Sequence, residues 1–190
     1  MSEILNRAIA KVQNSKHAFC RFITANDTGK NGSHQAGFYI PKCAALLLFD
    51  TPGIKGENKD KFVEVKWQDD FTTESRFIYY GQGTRNEYRI TRFGKNFPFF
   101  EEDNVGDLLI ITQYSETDYY GFILQTDQDI DDFFAYFNLS PEMTNQLIDV
   151  TQANIPEKQL EKGIQELVAR YTDFPETRQM AEFALSLIHI

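Results

Sequence analysis

The chain opens with apolar positions at helical spacing. Ile4, Leu5, Ala8, Ile9 and Val12 fall on one face among polar residues, which predicts a short amphipathic helix ending near Asn14. The period then drops to two. His17–Ile23 and Gln35–Ile40 read as strands, separated by the turn-rich TANDTGKNGSH with Gly29 and Gly32, a long exposed arm. Pro41 ends the second strand, and CAALLLF after it is a short apolar run that fits either helix or buried strand. The polar loop TPGIKGENKD leads into Lys61–Trp67 and Ser75–Tyr80, whose β-branched and aromatic residues predict an antiparallel pair. GQGTRNEYRITRFGKNFPFF begins with two glycines and shows no clean apolar alternation before Phe97, so it reads as a second arm. Leu108–Tyr114 and Tyr119–Gln125 form a hairpin around the turn SETD.

Helical character begins at Asp127. DQDIDDFFAYFN is acidic in its first turn, which complements the helix dipole. Ser140 as N-cap with Pro141 at the first helical position predicts a helix through PEMTNQLIDV, Pro156 opens another to about Tyr171, and Pro175 opens a last one through ETRQMAEFALSLIHI. That last pattern is still running where the chain stops, so a piece of a longer protein is expected. Strands on both sides of each arm predict an α+β, mainly β fold: a partly closed barrel over 1–150, with a helical extension or linker over 151–190.

With 190 residues, 42% of them apolar and 14% aromatic, the chain can bury one real core. No apolar run approaches the roughly 18 residues of a membrane span. The N-terminus carries Glu3 and lacks a secretory h-region, so a cytoplasmic protein without membrane contact is expected. In that compartment Cys20 and Cys43 read as reduced core residues, not a disulfide. A net charge of -9 argues at first against nucleic acid, because phosphates need a surface of Lys and Arg. The distribution reverses this: residues 1–100 hold 15 Lys and Arg against 10 Asp and Glu, whereas 101–190 hold 4 against 18. Such asymmetry between halves points to nucleic-acid contact through the first.

The second arm is the most positive stretch. Arg76, Arg85, Arg89, Arg92 and Lys95 stand there with one carboxylate, Glu87. Arg reads guanine O6/N7 in bidentate fashion, Asn or Gln reads adenine, and a carboxylate accepts from cytosine N4. The first arm offers Asn26, Asp27, Lys30, His34 and Gln35, the second Arg85, Asn86, Glu87 and Arg89. A plain phosphate patch needs no carboxylate at its centre, so Asp27 and Glu87 point to base reading. Each position also has a structural reading. Asn26 and Asp27 before Thr28–Gly29 fit ordinary turn chemistry, and Glu87 fits a solvated partner of Arg85 or Arg89. Tyr39 and Phe93 fit core aromatics, and His34 a loop residue with a structural hydrogen bond.

The arms CRFITANDTGKNGSHQAGFYIPK and GTRNEYRITRFGK, with the later Asn104–Gly106, resemble the paired DNA-gripping arms of the N-terminal domain of EcoRII-like restriction endonucleases, over about residues 16–110. The resemblance implies a B-three-like pseudobarrel, open and seven-stranded in type, that binds duplex DNA in the major groove. It further implies CCWGG or a close relative as the site, a targeting or allosteric effector role, and a prokaryotic parent enzyme. In that parent a separate C-terminal nuclease domain would cleave with magnesium, while this domain would be a non-catalytic monomer needing no cofactor. The DNA-contacting positions it implies are Arg21, Thr24, Asn26, Asp27, Thr28, Lys30, His34, Gln35 and Tyr39 in the first arm. In the second they are Arg85, Asn86, Glu87, Arg89, Arg92, Phe93 and Lys95, with Arg89, Arg92 and Lys95 as mixed base and phosphate contacts. One departure is Gly83, which stands where the family pattern has a Lys; Lys30 or Lys95 would supply the missing cation.

Two rival readings remain. Asp50 followed by Glu64-Val65-Lys66 satisfies the loose spacing of a magnesium-dependent PD-(D/E)xK nuclease, although E-x-K is frequent on strand faces and Asp50 also starts a turn. The acidic residues 127–149 would suit a protein-interaction module or a contact with the nuclease domain. His17, His34 and His189 have no zinc spacing with the cysteines, and GQGTRNE lacks the Lys-Ser/Thr ending of a phosphate loop.

Overall fold

The computed structural model describes residues 1–28, 37–68 and 70–153, with Gln165 and Ala169 beyond them. The chain divides into two compact units, Met1–Gln152 and Ala153–Ile190. The helices expected from Pro156 and Pro175 fall in the second, where Ala153, Gln165 and Ala169 are described, the last two helical.

The first helix, α1 (Glu3–Gln13), forms where the helical spacing predicts. The Ser2 hydroxyl accepts from Leu5 N at 3.1 Å, Asn14 caps the other end, and Leu5, Ala8, Ile9 and Val12 are buried. After it come β1 (His17–Phe22), the single turn α2 (Ala25–Thr28) and β2 (Phe38–Ile40). The run CAALLLF resolves into a 3-10 helix over Lys42–Leu47 that buries Ala44, Ala45 and Leu47. β3 (Lys59–Trp67), β4 (Phe71–Tyr80), β5 (Glu87–Thr91), β6 (Leu108–Gln113) and β7 (Asp118–Leu124) precede α3 (Asp127–Phe137) and the short β8 (Gln146–Leu147).

These strands form one open sheet of eight in the order β2-β5-β4-β3-β7-β6-β1-β8. All neighbours are antiparallel except β3 and β7. The mainly β pseudobarrel is therefore present, with one strand more than expected. The extra strand is β8, where a helix through PEMTNQLIDV was expected. Only Pro141–Met143 turns, as a 3-10 segment, and Asn145 then takes φ 65 and reverses the chain. Asn145 N donates to Cys20 O at 2.9 Å and Ile148 N to Ala18 O at 2.8 Å, so pairing with the edge of β1 overrides the local Ser-Pro helix start.

A second correction concerns the arm after Tyr80. Glu87–Thr91 is a strand, paired with β4 on one side and β2 on the other, not part of a loop. Tyr88 and Ile90 are buried between half-exposed Glu87, Arg89 and Thr91, a period of two carried by only two apolar residues.

Apolar layers lie on both sides of part of the sheet. Inside the barrel Phe19, Phe38, Trp67, Phe77 and Tyr119 meet Phe93 and Phe97, which fold back from the segment after β5. The Trp67 and Phe97 rings lie 4.8 Å apart in edge-to-face geometry, and Trp67 Nε1 donates to Thr73 Oγ1 at 2.9 Å. Outside, α1 and α3 cover the β1-β6-β7 half, so every residue of β6 is buried. α3 buries Ile130, Phe133, Phe134 and Phe137, its Phe134 ring sits 6.0 Å from Phe22, and Ser2 N donates to Asp129 at 3.2 Å. Each large side chain fully buried this way stabilises by about 1.5–3 kcal/mol. No described helix covers the outer face of β3 and β4, where Asp60, Phe62, Glu64, Thr72 and Glu74 are exposed.

Candidate nucleic-acid interface

In the first arm residues 24–28 and those from Gly37 on are described, and a buried ion pair sits at its root, where these two ends meet. Arg21 on β1 and Asp27 on α2 are 5% and 2% exposed. The guanidinium meets the carboxylate in bidentate fashion, Nη2 to Oδ2 at 2.9 Å and Nη1 to Oδ1 at 3.2 Å. Asp27 Oδ2 also accepts from Thr24 N at 2.8 Å and Thr24 Oγ1 at 2.6 Å, while Oδ1 accepts from Tyr39 N at 3.3 Å. Arg21 Nη1 donates in addition to Tyr39 O at 2.7 Å. Burial lowers the Arg21 pKa, the Asp27 carboxylate works against that, and the nearby charge of Arg89 adds to the lowering. Removing one partner of such a pair costs about 3–5 kcal/mol, because the other charge is left buried.

The Asn104–Gly106 motif serves the same root. Asn104 is 4% exposed, its Nδ2 donates to Asp107 Oδ2 at 2.9 Å and its Oδ1 accepts from Glu101 N at 3.1 Å. Ile23 N then donates to Asp107 O at 2.9 Å and Gly106 N to Ile23 O at 3.0 Å, which fixes the residue before Thr24.

The second arm is the β4–β5 hairpin. Its turn is held from below: Gly81 N donates to Asn58 Oδ1 at 3.0 Å, and Lys55 Nζ donates to Gly83 O at 2.8 Å and also to Arg85 O. Lys55, from the loop before β3, is thus a staple of this turn. Gly83 itself has φ 61, a left-handed conformation that suits glycine. Tyr79 Oη donates to Asn86 Oδ1 at 2.9 Å.

Register puts the polar side chains of this hairpin on one face. Tyr80 pairs with Glu87, Ile78 with Arg89, and Arg89 with Tyr39 on β2. Tyr88, Ile90, Phe38 and Ile40 turn inward to the core. Glu87 Oε2 lies 3.6 Å from Arg89 Nε, and the Arg85 guanidinium carbon lies 5.0 Å from the centre of the Tyr80 ring. Farther along, Arg92 takes φ 62 and carries its guanidinium 5.1 Å from the centre of the Phe62 ring, while Arg76 pairs with Asp60 at 2.8 Å.

The expected contact positions therefore separate. Tyr39, Glu87 and Arg89 share one face of the paired strands, Arg85 stands in the turn before β5, and Thr24, Asn26, Asn86, Arg92 and Lys95 are exposed. Arg21, Asp27, Thr28 and Phe93 are buried, the first two in the ion pair and Phe93 among Phe38, Trp67 and Phe97. In this structure these four side chains face the protein interior, not the surface. Lys30, His34 and Gln35 lie outside the described residues. Sequence reasoning passed over Tyr80 and Phe62, the aromatic rests for Arg85 and Arg92. The alternation of Arg76, Ile78 and Tyr80 along β4 was the available signal for the first.

The residues of the nuclease reading are engaged separately. Asp50 binds Lys16 at 3.1 Å, which helps hold its carboxyl below the usual range, and Lys66 binds Asp118 at 3.2 Å. Glu64 faces Glu74 across β3 and β4. Among the described residues no group of three or more His, Cys, Asp or Glu gathers as a metal site.

Together these features define a mainly β pseudobarrel, helix-covered on one half and carrying an arginine-bearing ribbon on the other. The chain belongs to the family of restriction endonuclease EcoRII N-terminal domains, whose sequence profile matches residues 12–136. The type II restriction enzyme EcoRII of Escherichia coli is 39% identical over 82 residues, a stretch covering 40% of this chain and 20% of that enzyme. Only a small part of that enzyme's length is thus matched. Among solved structures, the B3 domain of the UbaLAI restriction endonuclease, crystallised with cognate DNA, is 20% identical with a TM-score of 0.47, covering 70% of this chain and 88% of that one.

Proposed function

We propose that the chain binds double-stranded DNA sequence-specifically through the major groove, at CCWGG or a close relative, as the targeting or effector domain of a restriction endonuclease. A separate magnesium-dependent domain of the parent enzyme would cut. The observation that carries this reading is the shared face of Glu87, Arg89 and Tyr39, whose alternate residues are locked into the barrel core, with Arg85 resting on Tyr80 in the adjoining turn. A two-stranded β-ribbon fits the major groove, which is about 12 Å wide. On it, arginines suit guanine O6/N7 and Glu87 suits cytosine N4, the pattern that a G·C-rich site presents. Exposed Arg92 and Lys95 at the ribbon's end suit phosphates. The acidic helix α3 packs over the β1-β6-β7 half, which leaves the β5 face as the electrically favourable approach for a polyanion.

The test is a mobility-shift titration of the chain with a CCWGG duplex and a scrambled duplex at two salt concentrations. Preferential binding of the first that persists at the higher salt is expected. Equal affinity for both would overturn the specific-reader assignment.

A further inference from the structure

The edge strand β2 is only three residues long and, among the described residues, has a single strand partner, β5. Its middle residue, Tyr39, aligns with Arg89 on β5, yet both of its backbone groups are taken up elsewhere: N–H by Asp27 Oδ1 at 3.3 Å and C=O by Arg21 Nη1 at 2.7 Å. Arg21 stands on β1, next to the opposite end of the sheet, and β1 and β2 are not strand neighbours. The open edge of the barrel is thus joined by two side chains and the single backbone bond from Gly37 N to Asp27 O, at 3.0 Å, where a closed barrel would have a backbone ladder.

We propose that Arg21 and Asp27 are positioning residues for DNA recognition: their ion pair holds the backbone of Tyr39 and so sets where Tyr39 and its cross-strand neighbour Arg89 meet the duplex. This rests on the DNA-binding reading above. A three-residue strand with one partner frays unless its outward backbone groups are satisfied, and here one guanidinium and one carboxylate satisfy both. The pair also manages charge. Arg89 and Arg21 repel each other, and Asp27 supplies the buried negative charge that lets both guanidiniums stand behind one recognition surface. Neither positioning residue reaches solvent, so neither contributes a phosphate contact itself. The loss of either would therefore alter discrimination without altering counterion release.

The experiment uses Asp27→Asn, which keeps the shape and turns one acceptor into a donor facing donors, and Arg21→Lys, which keeps the charge and loses the bidentate fork. Each is titrated with the CCWGG and scrambled duplexes at two salt concentrations, on protein shown folded by circular dichroism, and the amide exchange of Tyr39 is measured without DNA. Affinity for CCWGG is expected to fall about tenfold, or about 1.4 kcal/mol, with scrambled binding and salt slope unchanged and Tyr39 exchange accelerated. Unchanged discrimination in folded variants, or a uniform loss with a shallower salt slope, overturns the proposal. Should Asp27→Asn fail to fold, Arg21→Lys decides. If the wild-type chain itself does not discriminate, the DNA reading fails separately, and unchanged Tyr39 exchange in the variants would then sink the positioning role as well.

Discussion

The hydroxyl of Tyr79, a side chain 2% exposed, donates to Oδ1 of Asn86 in the turn that presents Arg85. The tip of the β4–β5 hairpin is therefore tied to the barrel core. Asn86→Ala leaves that hydroxyl without its acceptor and is expected to cost about 1–3 kcal/mol, whereas Tyr79→Phe removes the donor and should cost about 1 kcal/mol. Urea denaturation of both variants checks the order; a larger loss for Tyr79→Phe would contradict it.

Arg85 and Lys95 are expected to differ in kind. Arg85→Ala should lose about 1–3 kcal/mol for the preferred duplex and relax discrimination, as a bidentate base contact would. Lys95→Ala should weaken all duplexes alike and reduce the salt slope by about one. Parallel titrations separate the two, and intact discrimination in Arg85→Ala would remove that residue from base reading.

Glycines at the hairpin turn make a graded pair. A Cβ on Gly81 would lie 2.1 Å from Glu57 O, a backbone atom, so Gly81→Ala must push the 54–57 turn away at a cost of about 1–3 kcal/mol. A Cβ on Gly83 meets nothing within 4 Å, and Gly83→Ala should lose only the conformational penalty of φ +61, about 1–2 kcal/mol. Melting temperatures of the two variants, with the turn contacts followed by NMR, should show displacement for Gly81→Ala alone.

The cysteines should react unequally. Cys20 is buried, which pushes its thiol up to about 12, and Cys43 is exposed. A thiol reagent should modify Cys43 quickly in the native protein and Cys20 only after unfolding. Because the Cys20 value is raised, its contribution to stability is complete below the ordinary thiol range near pH 8.5 and is lost as pH rises towards about 12. Burial raises Tyr88 and Tyr119 in the same sense. Denaturation at neutral and alkaline pH should show the decline, and Cys20→Ala should make it shallower.

Incubated with duplex DNA and magnesium, the chain should leave the DNA intact, since Asp50 and Lys66 are committed to Lys16 and Asp118. Cutting that disappears in Glu64→Ala would restore the nuclease reading.

Long periodic elements were legible from sequence: α1, the β3–β4 pair, the β6–β7 hairpin and α3 each carry several apolar residues in phase. β5 was not, because its inward face consists of Tyr88 and Ile90 alone among charged neighbours. β8 was not, because nothing local distinguishes Ser140-Pro141 from a helix start, and the edge it pairs with lies more than a hundred residues earlier in the chain. In the second arm, the spacing of Glu87 and Arg89 held the available signal of a shared strand face. On the first arm residue type could not separate a carboxylate that faces a base from one that faces Arg21, since Asp27 is suited to either and only burial decides.

The Arg21–Asp27 link at the barrel seam has a consequence for how such a domain can vary. A ladder of backbone hydrogen bonds transmits register, so inserting one residue on either side flips every later side chain to the other face. The Arg21–Asp27 pair instead grips the single residue Tyr39, beside one backbone bond from Gly37 N to Asp27 O, so the seam carries no ladder of its own. A change of chain length between Thr28 and Gly37 would therefore leave every strand partnership of the sheet in phase.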